Sequence, residues 1–293
     1  MKDPQVVFTL NVHHEKNKSE VIGEFFGRRL AESNRKPLLG TYALNKRDYI
    51  GTTSMTALLS FLCANQAKVQ DGYLVLDPFV GTGSLLVACA HLGCYVIGND
   101  LDFKTLRGKK GKNLHSNFHQ YGLDQKVMFD VFRCCLSQQS VWHTSEIFDS
   151  IITDPPYGKR ESASKIGRIK PLKCDMIEEG HIPSRIQYDR DELMEDFLHL
   201  CAKLLKVGGR LVYWLISDLV FHIEEDLPTH PCFKLICISE DRLSTKNSRR
   251  LITMEKIKSY KEGMKEKEEE RKRNRSISPD DREKKKAKLE IEQ

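Results

Sequence analysis

Tyr73-Leu74-Val75-Leu76-Asp77-Pro78-Phe79-Val80-Gly81-Thr82-Gly83-Ser84, running on into Leu85-Leu86-Val87-Ala88-Cys89-Ala90, decides the fold. An apolar run ends on a carboxylate, a proline stops the strand, and a Gly-x-Gly turn opens an apolar helical stretch. Glycines let a ligand approach the backbone, and the start of the helix offers it N–H groups without intrahelical partners. The dinucleotide fingerprint is excluded, because no third glycine follows two residues later. A phosphate loop is excluded too, because no Gly-Lys-Ser/Thr closes the turn. Asp77 at the strand end would repel a pyrophosphate and attract a cationic ligand. The turn residues Phe79, Gly81, Thr82 and Gly83 complete this candidate ligand site.

Downstream the pattern repeats. Tyr95 to Asp102 reads as a second strand ending in acid, and Asp100 directly ends its apolar run. A carboxylate there commonly holds ribose hydroxyls. Phe103 to Phe118 reads as a basic helix, Val127 to Phe132 as a third strand, and Phe148 to Thr153 as a fourth. Strand–helix alternation at this spacing predicts a mostly parallel sheet with helices on both faces. Asp191 to Leu205 is an amphipathic helix, with Val207-Gly208-Gly209 expected to cap and turn it. Arg210 to Leu215, then Phe233 to Ser239 and Arg249 to Glu255, finish the sheet, the last two as an antiparallel pair.

The fourth strand runs into Asp154-Pro155-Pro156-Tyr157-Gly158. Two prolines cannot continue a ladder, so the chain leaves the sheet on a fixed, extended path. At the carboxyl end of a parallel strand, Asp154 and Tyr157 would lie where open α/β sheets bind ligands. A carboxylate beside an aromatic face suits a flat polar ring whose amino group must be oriented. Upstream, Thr56 to Ala67 has helical spacing, with Thr53 or Ser54 expected as its N-cap.

Of the 293 residues, 40% are hydrophobic and 30% charged, enough for one α/β domain with extensions. The net charge is +6, but from Lys256 onward there are fourteen Lys/Arg against ten Asp/Glu, which leaves the body near neutral. The nine cysteines lack a Cys-x-x-Cys pair, so free thiols are expected, with no metal site, in a reducing compartment. That points to the cytoplasm, with Lys284-Lys285-Lys286 as an alternative nuclear address. No apolar run is long enough to span a bilayer. The expected organisation is an N-terminal strand and linker over 1–45, the main domain over 46–255, and a charged tail over 256–293. The opening strand, Val6 to Val12, is either the remainder of something longer or a short strand at a sheet edge.

Together these features fit S-adenosylmethionine: a glycine turn for its methionine part, Asp100 for ribose, and Asp77 near its cationic half. The chain resembles the amino-methyltransferases with an Asp-Pro-Pro-Tyr signature. It is more specifically similar to the tRNA guanine-N2-methyltransferases that act on position ten of tRNA. Phe26-Gly27-Arg28, Tyr49-Ile50-Gly51 with Thr53-Ser54-Met55, Gly208 to Trp214 and Ser248 to Glu255 carry that likeness. The resemblance implies a Rossmann-like methyltransferase fold and a Thr53-Ser54-Met55 segment close to the cofactor. It also implies tRNA as substrate and a small zinc-binding activator subunit as heterodimer partner. In that family an acid ending the strand before the catalytic one reads the adenine amino group, and Cys135 stands at the corresponding place here. The family's N-terminal THUMP region has no room before Phe26. Two other readings are a non-catalytic subunit that binds the activator, and a methyltransferase acting on adenine or protein glutamine. The last two usually carry Asn where this chain has Asp154.

Overall fold

The computed structural model describes residues 6–16, 19–143, 145–156, 163–167, 184–245, 247–264 and 267. The chain divides into two compact units, Met1–Ala43 and Leu44–Gln293. In the first, strands β1 (Phe8–His14) and β2 (Val21–Arg28) form an antiparallel hairpin, followed by the short helix α1 (Arg35–Thr41). Phe8 stacks on Phe26 across the hairpin, with ring centroids 5.5 Å apart.

The second unit begins with α2 (Ala57–Gln66), β3 (Leu74–Asp77), α3 (Ser84–His91) and β4 (Tyr95–Asp100). After these come α4 (Phe103–Arg107), α5 (Leu114–Gln120), β5 (Phe129–Arg133), β6 (Phe148–Thr153), β7 (Ser164–Ile166) and β8 (Arg185–Gln187). The chain then adds α6 (Arg190–Leu204), β9 (Leu205–Asp218), α7 (Ile223–Asp226), β10 (Phe233–Arg242) and β11 (Asn247–Lys256). Seven strands make one sheet in the order β10-β11-β9-β6-β3-β4-β5. Pairings from β9 through β6, β3 and β4 to β5 are parallel, whereas β11 runs antiparallel to both of its neighbours. The expected doubly wound sheet is therefore present, and the C-terminal pair is made by the single reversed strand β11.

Side-chain alternation sorts the two faces. Leu76, Ile151, Leu211, Tyr213 and Ile252 join the cluster built on α6 residues such as Phe197, Leu198 and Cys201. The intervening positions face α2, where the Ser150 hydroxyl donates to the Ala67 carbonyl at 3.1 Å. Helix α2 packs in turn on α3, so the sheet is covered on both sides, as parallel sheets must be.

Three local expectations give way. The basic stretch after β4 is two short helices rather than one. Gly108 at φ +79° closes the first, and a Cβ there would meet the Lys112 carbonyl at 2.0 Å. Asn113 opens the second with a capping box to Ser116. Val207-Gly208-Gly209 does not turn the chain after α6; Leu205 is already extended, and β9 runs through all three residues with Gly208 at φ +83°. The N-cap of α2 is Thr56, without a side-chain cap bond, because the Ser54 hydroxyl is used elsewhere.

Packing continues past Glu255. Strand β11 ends on Lys256, which is fully buried, with its Nζ 2.7 Å from Glu146 Oε1 and donating to the carbonyls of Ala202 and Leu205. The Tyr260 hydroxyl reaches His199 Nε2 at 2.7 Å, and Lys267 pairs with Glu195 at 2.8 Å. These contacts tie residues read as tail onto α6. No helix among the described residues is long and apolar enough to cross a membrane. Eight described cysteines are free thiols.

Candidate active site

Neighbouring strands β6, β3 and β4 end side by side, which brings the carboxylates of Asp154, Asp77 and Asp100 to one edge of the sheet. They line a cleft of about 290 Å³ together with Thr53, Ser54, Phe79, Gly81, Thr82, Pro155 and Pro156. Its remaining wall comes from Thr52, Met55, Thr56, Leu59, Val80, Ser84, Leu85, Ile216, Leu243 and Arg249. The volume sits at the lower end of the range for small-molecule sites.

The glycine turn is built to leave its backbone at the cleft. Gly81 and Gly83 have φ of +50° and +79°, which side chains disfavour. Gly81 N donates to Asp100 Oδ2 at 2.9 Å, so the turn and the end of β4 hold one another. The second Asp100 oxygen takes the Asp102 N–H at 2.8 Å. A carboxylate oxygen can accept more than one hydrogen bond, so bonds to the turn are compatible with ligand hydroxyls at Asp100. Asp102 is committed elsewhere, capping α4 through Thr105 N and Oγ1 at 3.1 and 2.7 Å.

Asp77 is the most constrained acid. Only 1% of it is exposed, and its Oδ1 accepts from Thr153 Oγ1 at 2.5 Å and from Phe79 N at 3.1 Å. Burial pushes its carboxyl up to about 7; the two hydrogen bonds oppose the shift, and the charges of Asp100 and Asp154 add to it. A cation in the cleft would favour the ionised form. The cleft thus suits a ligand with a positive centre and vicinal hydroxyls, which is the chemistry of S-adenosylmethionine.

Residues 52–56 form another wall of the cleft, continuous with residues 49–51. Ser54 Oγ lies 2.6 Å from Thr82 Oγ1 and accepts from Gly51 N at 2.8 Å. Gly51 sits so close that an added Cβ would be 3.1 Å from Thr82 Cγ2. Behind them the buried Asn117 spans both loops: its Oδ1 accepts from Tyr49 N at 2.8 Å, and its Nδ2 donates to the carbonyls of Tyr49 and Thr82 at 2.8 and 3.3 Å. Arg47, also buried, donates to Ser84 Oγ at 2.7 Å.

Two sequence-based candidates lie off the cleft wall. Gly83 caps α3 and backs onto Leu114, whose Cδ2 would be 2.6 Å from an added Cβ. Cys135 is buried; its Sγ lies 3.1 Å from Ser137 Oγ and accepts from Ile166 N at 3.4 Å, so β7 covers it. Tyr157 lies outside the described residues. Arg249 and Asn117 were not legible as site residues. Arg249 sits in the cleft wall, its guanidinium 4.5 Å above the Trp214 ring and bonded to Asp241 Oδ2 through Nε and Nη2 at 2.8 and 2.7 Å. The shared Ser248 to Glu255 motif marks Arg249 as part of the family pattern. Asn117 carries no sequence signal.

Residues 45–172 match the family described as RMKL-like, methyltransferase domain (UPF0020). The tRNA (guanine(10)-N(2))-methyltransferase TRMT11 of Xenopus laevis is 44% identical over 251 residues, 81% of this chain and 52% of that protein. The human protein of the same name is 44% identical over 253 residues, 80% of this chain and 54% of its own length. The mouse protein is 41% identical over 278 residues, 89% and 60%. Among solved structures, TrmN from Thermus thermophilus is similar with a TM-score of 0.48 and 22% identity, over 88% of this chain and 61% of that one. The chain spans between half and three fifths of the length of these curated relatives. Over four fifths or more of its length the chain is thus similar to the tRNA (guanine(10)-N(2))-methyltransferases.

Proposed function

We propose that this chain transfers a methyl group from S-adenosylmethionine to the exocyclic amine of a guanosine in tRNA, at position ten. The observation that carries the reading is the meeting of Asp77, Asp100 and Asp154 in one cleft beside the Gly81 turn. Asp100 would hold the ribose hydroxyls, while Asp77 and the acidic wall would hold the cationic methionine half. The bound cofactor supplies an electrophilic methyl group. Asp154 would accept a hydrogen bond from the guanine amine, turn its lone pair toward that methyl, and stabilise positive charge forming on the nitrogen. Pro155 and Pro156 would hold Asp154 in place. Tyr157 would stack on the base. Cys135, covered by β7, would border the adenine end from behind rather than touch it. An aspartate at 154, where the adenine and glutamine methyltransferases usually have asparagine, favours guanine.

A small zinc-binding activator subunit is part of the proposal, as the family resemblance implies, and so is residence in the cytoplasm, which the free thiols support. The test is methylation of unmodified tRNA by the chain co-purified with that partner, with and without a supplied N-terminal tRNA-binding region. Mass spectrometry should find N2-methylguanosine at position ten. Cofactor binding without methylation in either arm would instead support a non-catalytic subunit.

A further inference from the structure

The loop that separates α4 from α5 is a tight hairpin, with Lys109 and Lys112 bridged and Lys110 and Gly111 both at positive φ, 53° and 76°. It forms one side of a concavity of about 1110 Å³ whose lining includes Lys104, Arg107, Lys109, Lys110 and Lys112. All five cations are exposed, and among the described residues Asp48 is the one carboxylate in that lining, paired with Lys112 at 2.5 Å. Tyr49 closes the floor by donating its hydroxyl to the Thr105 carbonyl at 2.8 Å. The hollow is too wide for a single phosphate ion, and its cations are spread along a turn rather than gathered on one point. Spread, flexible positive charge of this kind suits a chain of phosphodiesters.

The concavity also adjoins the cleft. Residues 48–50 line the concavity and residues 52–56 line the cleft, so one continuous segment walls both. Ile50 and Thr52 are two residues apart, no more than ~7 Å along the chain. Asp100 and Lys104 bracket the same junction from the end of β4 into α4.

We propose that the α4–α5 hairpin, with Lys104, Arg107, Lys109 and Lys110, grips the phosphate backbone of the RNA whose base enters the cleft. The proposal rests on the reading of the cleft as an RNA-methylating site, and adds a substrate-holding surface within the methyltransferase unit itself. Positively charged side chains there position the RNA and carry no sequence information.

Anisotropy of labelled tRNA, titrated with the full chain in complex with its partner over a salt series, tests it. The variant is Lys104→Ala/Lys109→Ala/Lys110→Ala, which spares the Lys112–Asp48 pair. It should bind tRNA at least tenfold more weakly at 0.1 M salt. Its plot of log affinity against log salt should be shallower by roughly 2, for three lost contacts at about 0.7–0.9 each. Cofactor binding and melting temperature should stay as in the parent, and the corresponding triple arginine variant should retain affinity. Lys234→Ala, on β10, should have no effect. Unchanged tRNA affinity and slope in a folded alanine variant would overturn the surface while leaving the methylation reading intact. Competition by polyglutamate as effective as by RNA would overturn it in favour of an acidic protein partner. A parent complex that binds cofactor but no tRNA at any salt would overturn both.

Discussion

A carboxylate buried beside two others is expensive to ionise, and Asp77 is in that position. Its pKa of about 7, against an ordinary value of 3.8, means that the folded chain keeps a proton the unfolded chain gives up. Stability from this group therefore falls as pH rises from about 4 to about 7 and is level above that, by an amount on the order of 4 kcal/mol. Asp77→Asn should flatten that part of the melting-temperature profile while weakening cofactor binding. Because a cationic ligand favours the ionised form, its affinity should drop as pH falls below about 7, with proton release visible by calorimetry in buffers of different ionisation enthalpy. Asp154→Ala should reduce methyl transfer by roughly 10²–10⁴-fold and leave cofactor affinity intact. Asp100→Ala should do the reverse first, raising the cofactor dissociation constant about tenfold or more. A single-turnover assay at saturating cofactor separates the two. The acids were readable because each terminates an apolar run; Arg249 was not, because its route to the cleft depends on a strand that comes back from the far end of the chain.

At the scale of elements, the seven strands of the main sheet and the long helices followed from apolar periodicity; β2, β7 and β8 were not foreseen, and the other exceptions share a cause. Periodicity reports which face is buried, but it does not report tight turns inside a polar stretch. Phe103 to Phe118 has the composition of a helix, yet Gly108 is held where a Cβ would strike the Lys112 carbonyl, and Asn113 starts the chain afresh. Conversely, Gly208-Gly209 looks like a stop but lies inside β9. The end of the packed domain was hidden for a similar reason. Lys256 has the character of a charged tail, while its ammonium is enclosed by Glu146 and the carbonyls of Ala202 and Leu205 where α6 passes into β9. Lys256→Ala should strip those groups of their donor and cost about 1–3 kcal/mol in urea unfolding. Gly83→Ala should cost about 1–3 kcal/mol, since φ is +79° and Leu114 fills the space.

Over residues 44–255, near-neutral total charge conceals a division of sign: acids at the strand ends, lysines on the neighbouring hairpin. A ligand in the cleft touches loops from β3, β4 and β6 and the 52–56 wall at once, so it should stabilise the unit against unfolding as a whole. At a hundredfold excess over its dissociation constant the gain is about 2.7 kcal/mol, readable as a rise in melting temperature. Residues 48–56 are pinned to the glycine turn through Ser54–Thr82 and to α5 through Asn117. A wall common to two sites makes their occupants partners in one equilibrium. If RNA on the hairpin tightens cofactor binding by some factor, cofactor must tighten RNA binding by that same factor. Severing the wall with Asn117→Ala should bring both factors toward one together.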